Sequence, residues 1–172
     1  MTKSIDNGSN WNSIGSGVRV YDLTFGNSKF VASGAVGAIQ ISPNNGGSWT
    51  TGNSGTSTNT LYGITFGNNQ FFSVGNSGKI IISGDNGSTF SNVSSPVTKN
   101  LYSVAFGNNI FVGVGYKTVV VSNNDGSTVI EKENTLTFND VTFGNGVFVA
   151  VGQDEIIYTS TDGDTWTKVY GK

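Results

Sequence analysis

The side chains that could do chemistry in this 172-residue chain are few: eleven carboxylates, nine cationic groups of which one is arginine (Arg19), and no histidine or cysteine. Without histidine, Ser-His-Asp and Cys-His arrangements are excluded, together with the commonest metal ligand. Without cysteine there are neither disulfides nor thiolate metal sites, and the redox compartment stays open. What remains is carboxylate chemistry, since two acids suffice for many glycoside hydrolases. The acids lying close in sequence are Asp154-Glu155 and the pair Asp162 and Asp164, with Glu131 and Glu133 further upstream. Their spacing brings no two of them to a common pocket. Asp162, Asp164 and neighbouring carbonyls could form a calcium site, but a polar Asp-Gly-Asp turn accounts for the same residues. The expectation is therefore a protein that is not an enzyme, with no cofactor and no resident metal.

The elements that position these residues come from an internal repeat. Phe-Gly-Asn occurs at Phe25, Phe66, Phe106 and Phe143, at intervals of 41, 40 and 37 residues. A second phenylalanine follows five residues after each (Phe30, Phe71, Phe111, Phe148), and a glycine nine residues after each (Gly34, Gly75, Gly115, Gly152). Gly-rich loops can cradle phosphate only at a helix N-terminus or a nest of amides. Each Phe-Gly-Asn instead precedes a strand-like run, so it reads as a hairpin turn. Strands are expected over 20–25, 30–33 and 38–42, with a fourth beginning near Trp49.

A second motif ends the third strand of each unit. Its copies run from Ser4 to Trp11, Ser42 to Trp49, Ser83 to Phe90, Ser122 to Val129 and Thr159 to Trp166, with central glycines at 8, 46, 87, 126 and 163. The pattern resembles the Asp-box, Ser-x-Asp-x-Gly-x-Thr-Trp, also called the bacterial neuraminidase repeat, and the resemblance covers nearly the whole chain. It implies a β-propeller in which the acidic or amide side chain bonds amides of its own turn and the aromatic packs on the blade. The residues so implicated are Asp6, Gly8 and Trp11; Asn44, Gly46 and Trp49; Asp85, Gly87 and Phe90; Asn124 and Gly126; and Thr161, Gly163 and Trp166. The chemistry fits, because a short polar side chain can complete a turn and glycine supplies a left-handed position.

The fold expected is all-β: one propeller domain over residues 1–172, built of four-stranded antiparallel blades. Four complete repeats span 17–55, 56–96, 97–134 and 135–172, and 1–16 form an N-terminal half-blade. The ring could be four- or five-bladed, closed by oligomerisation, or part of a longer propeller. A blade cannot bury both faces alone, so neighbours must stack.

The resemblance also invites a sialidase reading. Sialidases hold a carboxylate with three arginines and use a Tyr-Glu nucleophile. Arg19 is alone, so that activity is not expected. A photosystem-assembly role, as in another Asp-box group, lacks the arginine-rich surface expected there. The function expected is a recognition module binding glycan or protein through the loops of one propeller face. The alternatives are an assembly propeller whose half-blade drives homo-oligomerisation, and a carboxylate-dependent hydrolase. The face in question is built by the loops at 34–38, 75–79, 115–118 and 152–155, and by the connections at 52–61, 94–101 and 134–139. On it, Lys79, Lys117 and Gln153 are candidate contacts. Tyr21, Tyr62 and Tyr102, four residues before each Phe-Gly-Asn phenylalanine, could stack on a ligand, although inter-blade packing at the strand start is the favoured explanation; Asn139 takes the fourth place.

A net charge of -2 without a basic run argues against nucleic acid. No apolar stretch reaches the ~20 residues of a membrane span. The N-terminus has no signal-peptide core. A secreted, surface or virion-associated setting is expected over a cytoplasmic one.

Overall fold

A computed structural model describes residues 2–14, 17–56, 58–132 and 135–171. It is a β-propeller arc of four four-stranded antiparallel sheets and one two-stranded sheet. The two-stranded sheet pairs β1 (Thr2–Lys3) with β2 (Asn12–Ser13). The first full blade is β3 (Val20–Gly26), β4 (Lys29–Gly34), β5 (Ile39–Ser42) and β6 (Thr50–Thr51). The second is β7 (Leu61–Gly67), β8 (Gln70–Gly75), β9 (Ile80–Ser83) and β10 (Ser91–Asn92). The third is β11 (Leu101–Gly107), β12 (Ile110–Gly115), β13 (Thr118–Ser122) and β14 (Val129–Lys132). The fourth is β15 (Phe138–Gly144), β16 (Val147–Gly152), β17 (Ile157–Ser160) and β18 (Thr167–Tyr170). In every blade the strands pair in chain order as a meander.

The Phe-Gly-Asn segments are two-residue hairpin turns. Gly26 pairs with Lys29 and Gly67 with Gln70, leaving Asn27-Ser28 and Asn68-Asn69 as the loops. All four of those residues have positive φ, the backbone that matches strand twist and that asparagine tolerates better than most residues.

The core lies between blades. Val31 and Ile39 of the first blade pack with Leu61, Ile64, Phe71 and Ile81 of the second. Phe72 and Val74 of the second meet Val104, Phe111 and Val120 of the third, where Phe72 stacks on Phe111 at 4.6 Å. Val112 and Val119 of the third meet Phe138, Val141 and Phe148 of the fourth. The inner strands pack in the order β3, β7, β11, β15. Each buried face is thus completed by the neighbouring blade, which is why a single repeat could not fold alone.

Candidate functional site

The loops joining the second and third strands share one construction. The Gly34 N–H donates to Ala38 O (2.9 Å), Gly75 to Lys79 O (2.8 Å) and Gly152 to Ile156 O (3.2 Å). The residue after each glycine is tied back to the start of its own blade: Ala35 N–H to Arg19 O, Asn76 to Thr60 O, Tyr116 to Asn100 O and Gln153 to Thr137 O. At the apex a non-glycine residue is held in left-handed backbone: Val36 (φ 55), Ser77 (φ 53), Lys117 (φ 49), and Asp154 and Glu155 (φ 59 and 58). For a β-branched residue such as Val36 this is a genuine conformational cost, and its side chain is 65 % exposed. The loops therefore fix equivalent positions on one face and display a different group at each. These groups are apolar, hydroxyl, cationic and anionic in turn.

Of the candidate contacts, Lys117 and Gln153 are exposed on these loops and Lys79 is half-buried at the base of the second. The Lys117 ammonium lies over the Tyr116 ring, 5.6 Å from its centre. The tyrosine column stands just inside the same face. Each inner strand slips register between Val20 and Asp22, Leu61 and Gly63, Leu101 and Ser103, and Phe138 and Asp140. Tyr21, Tyr62, Tyr102 and Asn139 occupy these bulges, where a strand re-aims its side chain. Tyr21 and Tyr62 meet edge-to-face at 5.8 Å, and Tyr62 and Tyr102 at 6.0 Å. The column is thus a line of inter-blade contacts whose first member remains exposed.

The carboxylates are distributed, not convergent. Asp154 and Glu155 sit at one end of β17, whereas Asp162 and Asp164 sit at the other. Asp164 pairs with Lys132 (2.7 Å). Glu131 Oε1 accepts from Lys99 Nζ (3.1 Å) and Thr118 Oγ1 (3.1 Å). Lys99, Glu131, Tyr158, Asp164 and Trp166 line an open cleft of about 670 Å³ between the third and fourth blades. Glu133 and Asn134 lie outside the described residues. Among the described residues no cluster of three or more acids is placed to hold a metal ion.

The five downstream turns lie at the end opposite the loop face. In the N-terminal pair and the first two blades the motif's serine hydroxyl accepts the central glycine N–H: Ser4 from Gly8, Ser42 from Gly46 and Ser83 from Gly87. Asp6, Asn44 and Asp85 accept the amides of Asn10, Ser48 and Thr89 at 2.9 Å. Two positions differ from expectation. In the third blade Asn123, not Asn124, accepts the Thr128 amide (3.0 Å). In the fourth Asp162, not Thr161, accepts the amides of Asp164 and Thr165 (2.8 Å each). In the fourth blade the reason is spacing: Ser160 and Gly163 are three residues apart instead of four, so the acid two residues after the serine directly precedes the glycine. The Trp11 and Trp166 indoles close their turns by donating to Gly8 O and Gly163 O.

These bonds govern the acids' titration. Ser4 and Asn10 hold the Asp6 carboxyl down at about 2, and Thr89 does the same for Asp85, also at about 2. Bonds from Ser127 lower Asp125, and the Thr165 and Asp164 amides lower Asp162. Asp22 goes the other way, because partial burial between the first two blades penalises its charge more than the Ile64 and Leu23 amides reward it.

No family model matches the chain, and a search of curated proteins returns no match. Solved structures do match in fold. YCF48 bound to a D1 peptide superposes with a TM-score of 0.73 at 15% identity, covering 91% of this chain and 55% of that one. YCF48 from Cyanidioschyzon merolae gives 0.67 at 16%, covering 88% and 56%. The computationally designed Ika4 protein gives 0.66 at 15%, covering 86% of this chain and 94% of that one. The chain thus spans just over half the length of either YCF48 chain, and at this identity the likeness establishes a shared β-propeller architecture.

Proposed function

We propose that this chain is a non-enzymatic recognition propeller of the Asp-box type, which binds a segment of a partner protein across its loop face. The observation that carries the reading is the row of apices at Val36, Ser77, Lys117 and Asp154. Four loops hold unlike side chains at corresponding, conformationally costly positions on a scaffold whose Phe-Gly-Asn turn, second phenylalanine and closing glycine recur in every blade. Strain retained at an exposed site is characteristic of function, and unlike groups in fixed register suit one asymmetric ligand better than four copies of one sugar. A structural neighbour solved with a peptide is consistent with that ligand class. Asp6, Asp85, Asp125 and Asp162 act as turn formers, and Asp164 and Glu131 as ion-pair partners.

Peptide display against the intact chain tests this reading. Enriched sequences should lose binding at least tenfold when Val36→Asp and Lys117→Glu are introduced together, with an unchanged melting temperature. Binders indifferent to that double change would sink the loop-face assignment. A glycan is favoured only by the cleft of Tyr158 and Trp166, whose aromatic faces adjoin paired charges. Glycan-array binding lost in Trp166→Ala and retained in the loop double variant would select that reading instead.

A further inference from the structure

The cleft between the third and fourth blades has a floor of fixed rings. Phe138, fully buried, meets the Tyr158 ring edge-on at 5.7 Å and the Trp166 ring at 5.4 Å. Leu136, Tyr158 and Trp166 pack against the core of these two blades and keep part of their surface exposed. The Trp166 N–H is taken up by Gly163 O, so its ring offers apolar surface and no donor. At about 670 Å³ the cleft falls within the size that takes a small ligand or a bulky side chain.

The charges around it neutralise one another. Lys99 Nζ meets Glu131 Oε1 at 3.1 Å, and Lys132 Nζ meets Asp164 Oδ2 at 2.7 Å. The walls therefore present no net charge, and the unengaged surface is the ring floor. Lys99 also ties the cleft to the loop face. Its ammonium donates to Lys117 O (2.9 Å) as well as to Glu131, and Thr118 Oγ1 donates to the same carboxylate oxygen (3.1 Å). One nitrogen thus bridges the third apex and the cleft rim. The Lys117 side chain at that apex lies exposed over the Tyr116 ring, and among the described residues no carboxylate pairs with it.

We propose that this cleft receives a bulky apolar side chain, aromatic or leucine-like, from the same partner segment that crosses the loop face, and that the segment sets an acidic residue over Lys117. The inference rests on the loop-face reading and adds to it the anchor and the charge of the ligand. The apex and the rim share one bridging nitrogen, a step that about two to four residues of extended chain cover. Binding energy concentrates where an aromatic or aliphatic anchor fills a pocket ringed by near-neutral contacts. Rings already held by Phe138 lose little freedom when that anchor arrives. A sugar could stack on the same floor, but its hydroxyls would meet groups already paired with each other, and a neutral sugar leaves the Lys117 ammonium without a counterpart.

Peptide display on the intact chain, read against cleft variants, tests it. Enriched sequences should pair an acidic residue with Trp, Phe or Leu about two to four positions away. Thr135 lines the cleft and is exposed, so Thr135→Trp fills the space from its rim and should leave the melting temperature unchanged. Peptide affinity should fall at least about tenfold in that variant, and by a similar factor on wild type when the peptide's apolar residue is changed to Ser. The two changes together should weaken binding no more than either alone, because both empty the same cleft. Trp166→Ala should weaken the same peptides, but it also removes packing on Phe138, so Thr135→Trp decides. A peptide with Lys in place of its acid should recover binding on Lys117→Glu. Binders lost in the Val36→Asp/Lys117→Glu variant yet indifferent to Thr135→Trp would overturn the anchor and leave the loop-face reading standing. Binders indifferent to every variant, or a library that yields none, would overturn both. A glycan blocked by Thr135→Trp and unaffected by the loop variants would make the cleft a carbohydrate site and overturn the proposal as well.

Discussion

The ring of Phe66 occupies the space that a Cβ on Gly26 would need, and this closes the first blade against the second. The same relationship joins Phe106 to Gly67 and Phe143 to Gly107, whereas Gly144 is open. Overpacking a filled contact costs about 1–3 kcal/mol. Gly67→Ala should therefore destabilise the chain by that order, read as a lower urea midpoint, and Gly144→Ala should stay close to wild type. Equal effects at the two glycines would contradict the packing described.

The downstream turns make a separable prediction. Asp85 accepts from the Ser83 hydroxyl, the Thr89 amide and the Thr89 hydroxyl. Asn44 accepts the corresponding Ser42 hydroxyl and Ser48 amide with an uncharged side chain. Asp85→Ala should destabilise by about 1 kcal/mol, at the modest end because the site is exposed to water. Asp85→Asn should retain most of the wild-type stability at neutral pH. Thermal melts of the two variants side by side distinguish a turn held by its acceptor oxygen from one held by charge.

Acid stability follows from the same bonds. With Asp85 and Asp6 held at about 2 in the folded chain, the unfolded chain binds more protons between about pH 4 and pH 2. Their contribution is fully present above about pH 4 and is lost as pH falls toward 2. Asp125 and Asp162 act in the same direction. Asp22 opposes them, since its raised value lets the folded state gain on acidification. Urea midpoints against pH should fall through that window, and less steeply in Asp85→Asn. Parallel curves for the two proteins would show that Asp85 does not contribute.

Val36 offers a test of stability traded against binding. Glycine at its left-handed position removes the Cβ conflict at the expense of a freer unfolded chain, a net gain of about 0.5–1 kcal/mol. Val36→Gly should raise the melting temperature and weaken the loop-face ligand. A variant that is more stable and binds equally well would leave Val36 without a recognition role.

Much of this architecture was legible because it is set by local turn chemistry. Asn-Ser and Asn-Asn after Phe-Gly favour two adjacent positive φ values, and so dictate a two-residue hairpin wherever they occur. The ~40-residue period then requires stacked units. The strand expected over 38–42 begins one residue later, at Ile39, because Ala38 completes the loop by accepting the Gly34 amide. Less legible were the loop apices. Nothing in Val36 as a residue type announces a left-handed backbone, which is imposed by bonds from Gly34 to Ala38 and from Ala35 to Arg19.

The sequence by itself determined the repeat, the blade of four strands, the turn residues and the absence of histidine, cysteine and clustered arginine. Those depend on residue type and on spacings that recur along the chain. Only the tertiary structure decided that Asn123 and Asp162 anchor the last two downstream turns. It alone placed the tyrosines at bulges and set each phenylalanine ring over the preceding blade's glycine. The turn anchors are a choice among adjacent polar residues that only the folded turn makes, whereas the phenylalanine–glycine contacts join groups some 40 residues apart, where the neighbouring blade sets which atoms meet.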